Sequence, residues 1–512
     1  MIQSERMRRP AAHTDMKIIL TGPVNRYYVQ TLCMLYFPGA KFSEHEDAFG
    51  ETPVVRVTGV MRETGFETTV EISIDGCGVS HTHLEPKRDG ISEEKLSRLS
   101  LGVAFFRAGE KMFGYTPSWG ILTGVRPSKI ATKLLHEGLD RDGICRRLTQ
   151  EYFISPKKAA LAADVVLCEE KIIRTLPERS CSVYISIPFC PSRCAYCSFV
   201  SYSTKRLLSM IPDYLERLYY DIDRIFDTVT QLGFAVTTVY VGGGTPTVLT
   251  AEQLAVLLDR VNRRLDRTHL TEFTVEAGRP DTVTAEKLKV LYDAGVDRIS
   301  INPQTLNDRV LETIGRRHTA NDFRRAFALA RESGIPCINT DLIAGLPTED
   351  FASFSRSVDT ILALRPENFT VHTFCVKKSA DILKSETEIY SRTGGDAGKS
   401  VDYSQFRAKT EGYHPYYMYR QKNSVGNFEN VGFSLDGFDG RYNIFIMEEL
   451  HSIFAAGAGG VTKVMHTAQD INRLFMPKYP YEYLSQDRKE AMDAYQQKIY
   501  DYFNGSAAQK SE

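Results

Sequence analysis

Three cysteines, Cys190, Cys194 and Cys197, fall within eight residues in the spacing C-x3-C-x2-C. Thiolates are soft ligands, and cysteine clusters of this density usually hold zinc or an iron–sulfur cluster. A complete tetrahedral site needs a fourth ligand, and no Cys or His follows closely in the sequence. The loop therefore offers three ligands and leaves one metal position open. A structural zinc knuckle or three buried thiols are the alternative interpretations, although a second pair of zinc ligands is missing.

With the aromatic Tyr196 before the third cysteine, this motif resembles the radical S-adenosylmethionine (SAM) enzymes. The run YISIPFC, which begins at Tyr184 and ends at Cys190, is similar to their oxygen-independent coproporphyrinogen oxidase branch. The resemblance implies that the three cysteines bind a [4Fe–4S] cluster and that SAM chelates its fourth iron. It also implies that Tyr184 and Tyr196 are cofactor-binding residues.

A glycine-rich motif, GGGTP, follows the predicted strand TTVYV. Glycine permits unusual backbone angles and lets a ligand touch the main chain, although a tight turn is an equal alternative. The resemblance implies that Gly243, Gly244 and Thr245 hold the methionine amino group of SAM.

The next predicted strand, EFTVE, ends at Glu276, whose carboxylate can accept hydrogen bonds from ribose hydroxyls or an ammonium group. Capping of the next helix is the alternative role. The resemblance also implies cofactor-binding residues after the later strands: Gln304, Arg316, Asp341, Cys375 and Val461. It further implies that a second SAM binds near Gln304, Arg316 and Asp341.

Four expectations concern individual side chains in this region. We expect Asp341 and Arg316 to form a buried ion pair, because a guanidinium suits a carboxylate. Cys375 is expected to be a small wall residue, and His318 a surface or capping histidine. Four basic residues are candidate substrate contacts: Lys377, Lys378, Arg420 and Lys422. A solvated basic turn is the alternative.

The sequence differs at two positions from the oxygen-independent coproporphyrinogen oxidases after which this branch is named, called the founding oxidases below. Ser186 stands where they have a histidine, and Phe199 where they have a fourth cysteine. The segment PSWGILTGVRPSK, residues 117–129, is also foreign to the founding type and is similar to an extended coproporphyrinogen dehydrogenase branch. The resemblance covers roughly residues 110–465.

The resemblance implies oxidative decarboxylation. A 5′-deoxyadenosyl radical takes hydrogen from the β-carbon of a propionate, and loss of carbon dioxide and one electron leaves a vinyl group. Done twice, this converts coproporphyrinogen III to protoporphyrinogen IX, with an electron donor such as flavodoxin. The alternatives are a haem-modifying enzyme, by methylation or ring opening, and a non-catalytic haem chaperone on the same scaffold.

Composition narrows the class of protein. The 512 residues suffice for two or three domains, and the net charge of −1 excludes bulk electrostatic capture of nucleic acid. No apolar run is long enough to span a membrane, and the first sixteen residues lack an apolar signal core. Scattered single cysteines suit a reducing compartment. We therefore expect a cytoplasmic protein, and a monomer.

From Tyr184 onward strands and helices alternate, which predicts parallel strands with right-handed crossovers. Six such units without closure to eight predict an α/β fold with a partial (β/α)6 barrel. An α+β N-terminal domain precedes it and a C-terminal α/β extension follows. We expect five parts: a disordered leader, the N-terminal domain, the radical SAM core, a substrate-covering region and a tail, at 1–15, 16–176, 181–378, 379–503 and 504–512.

Overall fold

The computed structural model describes residues 15–38, 40–43, 53–124, 126–197, 201–375, 395–422, 424–467 and 469–509. Three residues singled out in the sequence, Lys377, Lys378 and Phe199, lie outside the described residues, as do nearly all of the expected leader and the last part of the expected tail. Two β-sheets organise the described chain, one of five strands and one of eleven. Among the described helices, none is both long and apolar enough to cross a membrane.

The five-stranded sheet forms the N-terminal part. Its strands run in the order β2-β1-β3-β4-β5, with β2 and β3 parallel to β1 and the last three antiparallel. Two helices cover one face, and their apolar side chains meet alternate strand residues such as Val55 and Val57 in a separate core. The elements are β1 Asp15–Thr21, α1 Arg26–Tyr36, β2 Lys41–Ser43, β3 Val54–Met61, β4 Gly65–Ile74, β5 Cys77–Pro86 and α2 Glu93–Phe113.

Three helices follow and pack against the larger sheet. Asp140 caps the second of them by accepting from Gly143 N, and Pro156 opens the third, where its missing N–H costs nothing. Their buried side chains, with Trp119, belong to the same apolar core as the eleven-stranded sheet. The helices are α3 Ser128–His136, α4 Arg141–Tyr152 and α5 Pro156–Ile173.

Six parallel strands in sequence order form the centre of the larger sheet. The first of them is buried along almost its whole length, as expected for a parallel strand covered on both faces. The strands are β6 Ser180–Ile187, β7 Ala235–Gly243, β8 Glu272–Glu276, β9 Arg298–Ser300, β10 Cys337–Ala344 and β11 Asn368–Thr373.

Helices connect these strands, and several of them begin at N-cap residues that are recognisable in the sequence. Thr250 and Thr319 each form a reciprocal capping box with the residue three positions later, which satisfies two main-chain donors at the helix start. The helices are α6 Lys205–Leu208, α7 Ile211–Gln231, α8 Ala251–Arg264, α9 Ala285–Asp293, α10 Asp308–Thr313, α11 Ala320–Glu332 and α12 Phe351–Leu364. The chain therefore has the expected α/β fold with a partial six-unit barrel.

The C-terminal strands extend both edges of the barrel sheet. Next to β11 lie two antiparallel strands, and next to β6 lies a parallel strand followed by an antiparallel pair. The C-terminal extension thus continues the barrel sheet. Its elements are α13 Gly395–Thr410, β12 His414–Arg420, β13 Glu429–Ser434, α14 Arg441–Glu448, β14 Ser452–Ala456, β15 Val461–Met465, β16 Ile471–Phe475, α15 Pro480–Ser485 and α16 Arg488–Gln509.

Candidate functional site

The cysteine loop leaves the carboxyl end of β6 and is fixed by main-chain hydrogen bonds. Cys190 N donates to Tyr202 O at 3.0 Å, and Tyr202 N donates to Pro188 O at 2.9 Å. Further along, Ala195 N donates to Ile314 O at 3.0 Å. The two ends of the loop are therefore bonded to each other, and the remote segment at Ile314 holds its middle, so the spacing of its thiols does not depend on the loop alone.

Two of the thiols contact polar side chains of neighbouring segments. The Cys190 Sγ and Thr245 Oγ1 atoms are 3.2 Å apart, and Arg279 Nη1 donates to Cys194 Sγ at 3.8 Å and to Ser192 O at 3.2 Å. Burial raises the pKa of the Cys190 thiol, and its hydrogen bond to Thr245 opposes that rise. All three thiols are free of disulfides, and this soft donor set fits an iron–sulfur cluster.

The glycine-rich turn lies directly against the cysteine loop. Gly244 N donates to Ile187 O at 2.8 Å, and Thr245 N donates to Phe189 O at 2.7 Å. A Cβ atom at Gly244 would lie 2.4 Å from Phe189 O, and Gly243 has a φ of +109°. Only glycine allows this approach, so the half-buried main chain of the turn lies beside the thiols, a cradle that fits an amino acid group such as that of SAM.

A carboxylate and three stacked tyrosine rings form one wall of the barrel interior. Tyr240 donates its hydroxyl to Glu276, and its ring centroid lies 4.3 Å from that of Tyr442 and 6.0 Å from that of Tyr184. Burial raises the pKa of Glu276 to about 7, helped by the charge of Asp341 and opposed by the hydrogen bond from Tyr240. Glu276 therefore keeps its proton to a higher pH than a solvent-exposed glutamate.

Asp341 faces the same interior from β10. Asn339 Nδ2 donates to Asp341 Oδ1 at 2.8 Å, and His372 Nε2 lies 3.7 Å from Asp341 Oδ2. Burial alone would raise the pKa of Asp341, but the hydrogen bonds from His372, Asn339 and Thr370 outweigh burial and hold it below its ordinary value. Asp341 is the ionised carboxylate of the interior.

The expected ion pair between Arg316 and Asp341 is wrong. Arg316 Nη2 donates to Tyr196 Oη at 2.9 Å, and Nη1 donates to Gly278 O at 3.1 Å and to Asn302 O at 3.3 Å. The guanidinium thus binds the cysteine loop and two strand ends, because main-chain carbonyls and a phenol use its fork of donors. Arg316 therefore links the segments that follow β8 and β9 to Tyr196.

Gln304 has a backbone conformation that is uncommon for a residue other than glycine. Its φ is +69°, and its main chain bridges β10 by donating to Asp341 O and accepting from Ile343 N, both at 2.9 Å. The side chain is buried, and Gln304 Oε1 has no hydrogen-bond partner among the described residues. A buried acceptor without a partner costs free energy, so this oxygen fits a donor group of a bound ligand.

Ser186, the residue at the histidine position of the founding oxidases, fastens the carboxyl end of β6. Its Oγ donates to Ala458 O at 2.7 Å, and Ala458 N donates to Tyr214 Oη at 3.0 Å. Val461 begins β15 just after this glycine-rich segment, and it is half-buried. The serine therefore tethers the segment before Val461 to the strand that carries the cysteines.

The remaining basic candidates contact the N-terminal part of the chain. Arg420 is 6% exposed, and its Nη1 donates to Leu122 O at 2.6 Å. Lys422 is exposed and contacts the Tyr27 hydroxyl. Cys375 is buried as a small wall residue and donates to Lys422 O at 3.0 Å. The Arg420 guanidinium is thus occupied by main-chain oxygens of neighbouring segments.

The sequence analysis did not identify Arg279 and His372 as residues of the site, and a further expectation, for His318, is wrong. Arg279 contacts the cysteine loop, and its place three residues after Glu276 at a strand end was the available signal. His372 alternates inward on β11, which one sequence does not distinguish from an outward residue. His318, expected at the surface or at a helix cap, is 2% exposed, and burial lowers its pKa to about 4.

Comparison with known proteins gives three findings. The radical SAM superfamily profile matches residues 184–361. An oxygen-independent coproporphyrinogen-III oxidase-like protein, HemZ of Bacillus subtilis, is 35% identical over 454 residues, which is 86% of this chain and 90% of that protein. The heme chaperone HemW of the same organism is 34% identical over 284 residues, 54% of this chain and 70% of that protein.

One solved structure is similar over a large part of the chain. The coproporphyrinogen III oxidase HemN from Escherichia coli, a radical SAM enzyme, has a TM-score of 0.47 and 19% sequence identity. The similarity covers 63% of this chain and 71% of that one.

Proposed function

The chain belongs to the radical SAM superfamily and, within it, to the family of oxygen-independent coproporphyrinogen-III oxidase-like proteins, and on this premise we propose that it oxidatively decarboxylates coproporphyrinogen III. The family uses a [4Fe–4S] cluster and SAM, which when bound supply a radical that abstracts hydrogen. From each of two propionates one hydrogen atom, one electron and carbon dioxide leave, and a vinyl group remains. The product is protoporphyrinogen IX.

The observation that carries the proposal is the contact between the cysteine loop and the glycine turn. Gly244 N and Thr245 N donate to main-chain oxygens of the segment that leads into Cys190, so the thiols and the turn lie next to each other. We assign the cluster to Cys190, Cys194 and Cys197, and the amino end of SAM to the turn.

The barrel interior supplies the remaining SAM contacts of the proposal. We assign the SAM ribose to Glu276, Gln304 and Asp341, because these side chains provide acceptors and two of them are carboxyl groups inside the barrel. Arg316 supports Tyr196 from behind rather than holding a carboxylate. The stacked rings of Tyr184, Tyr240 and Tyr442 provide an apolar wall that excludes water from the reacting carbon.

For the substrate carboxylates, the proposal retains the exposed Lys422 together with Lys377, which lies outside the described residues. We assign Arg420 a structural role at the segment around Trp119. Its Nη1 and Nε atoms both donate to main-chain oxygens, and its guanidinium lies over the indole ring. An ammonium at the rim meets a flexible propionate as a point charge without requiring one fixed orientation.

The experiment is an anaerobic assay of the cluster-loaded chain with dithionite, SAM and coproporphyrinogen III, followed by mass spectrometry. We expect loss of two carbon dioxide units together with 5′-deoxyadenosine. Cys194→Ala should form neither product, whereas Cys77→Ala, which removes an exposed cysteine far from the loop in sequence, should behave as the wild type. Deoxyadenosine made by Cys194→Ala would overturn the cluster assignment.

A haem chaperone is the second candidate, because HemW is 34% identical over 284 residues. The same purified chain separates the two, since a chaperone binds haem stably in the absence of decarboxylation. Stable haem binding without loss of carbon dioxide would replace the proposed reaction. Deoxyadenosine with a methylated or ring-opened tetrapyrrole would replace it by a haem-modifying activity.

A further inference from the structure

A cysteine, a histidine and an aspartate from three different elements meet away from the cysteine loop. Cys168 lies on α5, His414 begins β12, and Asp439 lies in the turn between β13 and α14. One ligand atom of each, the sulfur, a ring nitrogen and a carboxylate oxygen, all lie within 4.8 Å of one another. All three side chains are half-buried, so they are held in place and still reached by water.

The separate distances describe the geometry of the group, which we call the Cys168 cluster. His414 Nε2 lies 2.7 Å from Asp439 Oδ1, and the Cys168 thiol donates to the same oxygen at 3.7 Å. The other ring nitrogen, His414 Nδ1, lies 3.4 Å from Asp436 Oδ1. A metal-bound histidine usually donates its second ring N–H to a carboxylate, and Asp436 occupies that place.

The order of the three groups distinguishes a metal site from a nucleophile. In a catalytic triad the histidine lies between the nucleophile and the carboxylate, so that it can take the proton of the thiol. Here the carboxylate of Asp439 lies between Cys168 and His414, and it contacts both. This arrangement gives the thiol no general base, but it points three donor atoms at one volume.

The surroundings supply rigid support on one side and access on the other. Cys168 packs against an apolar cluster that includes Ile172, Tyr416 and Phe445. The turn that carries Asp439 is fixed by Arg298 Nη1, which donates to Phe438 O at 2.9 Å. His414 and Asp439 side chains are 31% and 18% exposed, so a cation reaches the cluster from solvent.

From this geometry we propose that Cys168, His414 and Asp439 bind a zinc ion, with water as the fourth ligand. Sulfur, imidazole nitrogen and carboxylate oxygen are the three ligand types that zinc takes in proteins. Binding replaces two protons: the thiol proton of Cys168 passes to water, and the proton that His414 Nε2 shares with Asp439 leaves that nitrogen, so that the neutral imidazole carries its proton on Nδ1 beside Asp436. One zinc ion then neutralises the thiolate and the carboxylate together. The ion joins α5 to the outermost strand β12 and thus fastens the N-terminal helices to the barrel.

The test measures zinc and iron together in the full-length, cluster-loaded chain. The protein is incubated anaerobically with zinc chloride, desalted in the presence of a weak chelator, and analysed by elemental mass spectrometry. We expect stoichiometric zinc in the wild type and its loss in Cys168→Ser and His414→Gln, with iron unchanged in all. Two matched controls should keep their zinc: Cys145→Ser, at another half-buried cysteine, and His136→Gln, at another histidine beside a carboxylate.

Two results would overturn the site: a wild type that retains no zinc, and variants that retain as much zinc as the wild type. Zinc-edge absorption provides an independent reading, because the Cys168 cluster gives sulfur at about 2.3 Å together with nitrogen or oxygen at about 2.0 Å. A shell of sulfur alone would place the zinc on the 190–197 loop and would also overturn the site. If Cys168→Ser does not fold, Asp439→Asn gives the same comparison.

Discussion

At the scale of single residues, the candidate site depends on close approach between main-chain segments. Gly244 lies against Phe189, and Arg316 is buried with its donors used by carbonyls and by Tyr196. Side chains that face the interior, such as Glu276, then sit in a surrounding that changes their pKa. Small changes of volume or charge at these positions are therefore expected to have large effects.

Gly244→Ala tests the close approach. Its Cβ would lie 2.4 Å from a main-chain oxygen, so the turn or the cysteine loop must move. Because the turn is assigned to the amino end of SAM, we expect SAM affinity, measured by equilibrium dialysis, to fall about tenfold or more, which corresponds to about 1.4 kcal/mol. Gly124→Ala, at a glycine with no atom within 4 Å of the added carbon, should bind SAM normally. Equal affinities in the two variants would contradict the tight contact.

Glu276→Gln tests the raised pKa of this carboxyl group. The folded chain keeps the Glu276 proton up to about pH 7, whereas the unfolded chain releases it near the ordinary value of 4.5. Folding therefore takes up a proton in this window, and the wild type loses stability as the pH rises through it. Relative to the wild type, Glu276→Gln should gain on the order of 1–3 kcal/mol between pH 4.5 and 8.

The measurement for Glu276 is the melting temperature of the SAM-free chain at both ends of that pH range. Glu216→Gln, at an exposed glutamate on α7, is the control and should keep a constant difference from the wild type. A Glu276→Gln difference that also stays constant with pH would show that Glu276 ionises in its ordinary range.

The residues of this site could be predicted unevenly from the sequence. The cysteines and the glycine turn follow from local spacing, because neighbouring residues perform the task together. The partners of Arg316 could not be predicted, since Gly278 O and Asn302 O belong to the main chain and carry no side-chain signal. Arg420 looked like a substrate contact because a charge in a sequence does not reveal its burial.

At the scale of elements, a buried ion pair joins α5 to the barrel edge. Lys158 Nζ lies 2.7 Å from Glu429 Oε1, with exposures of 2% and 0%, and Trp119 Nε1 donates to the other carboxylate oxygen at 2.7 Å. Burial alone would lower the pKa of Lys158, but the carboxylates of Glu429 and Asp402 outweigh burial and raise it. The helix, the strand β13 and the Trp119 segment therefore share one charged contact.

Lys158→Met should destabilise the chain strongly, because it leaves Glu429 buried without its cation. Loss of one partner of a buried pair costs about 3–5 kcal/mol. Denaturant unfolding measures this, and Lys158→Met/Glu429→Gln should recover part of the loss. Lys289→Met, which breaks an exposed pair with Asp293, should cost less than about 1 kcal/mol. Similar losses in the two single variants would mean that Lys158 is hydrated in solution.

Element positions within the barrel could be predicted within a few residues, because each βα unit is local and its caps are visible. The sequence predicts strands at 237–241 and 368–374, and the structure has Ala235–Gly243 and Asn368–Thr373. The strands β12 to β16 could not be predicted in the same way. The pairings that join these strands to the barrel connect residues far apart in the chain, as for Ser452 beside Cys181. The aromatic and glycine content of residues 413–465 also gives no clear period.

At the scale of the whole molecule, the two largest apolar cores of the described chain separate the five-stranded sheet from the barrel. Residues of β1, β3, β4, α1 and α2 form one, whereas Trp119 and α3 to α5 share the barrel core. A sheet edge that loses its covering helix exposes apolar surface and unpaired main-chain groups. The helices before the barrel therefore belong with it in packing, although they precede it in sequence.

Two nested truncations test this division. A chain that begins at residue 116 keeps Trp119 and α3 to α5, so we expect it to be monomeric in solution and to take up iron. A chain that begins at Ser180 loses the cover of β12 and the partner of Glu429, so we expect it to aggregate. Size-exclusion chromatography with iron analysis distinguishes them. A well-behaved chain from Ser180 would show that the barrel stands without these helices.

The position of β14 also has a consequence for biosynthesis. The strand that carries the cysteine loop, β6, pairs on one side with β7 and on the other with β14, which is made about 270 residues later. While the ribosome is still translating the barrel, β6 remains an open edge, and the tether from Ser186 to Ala458 has no acceptor. Pairing of the cysteine-bearing strand on its second side therefore waits until β14, Ser452–Ala456, has left the ribosome.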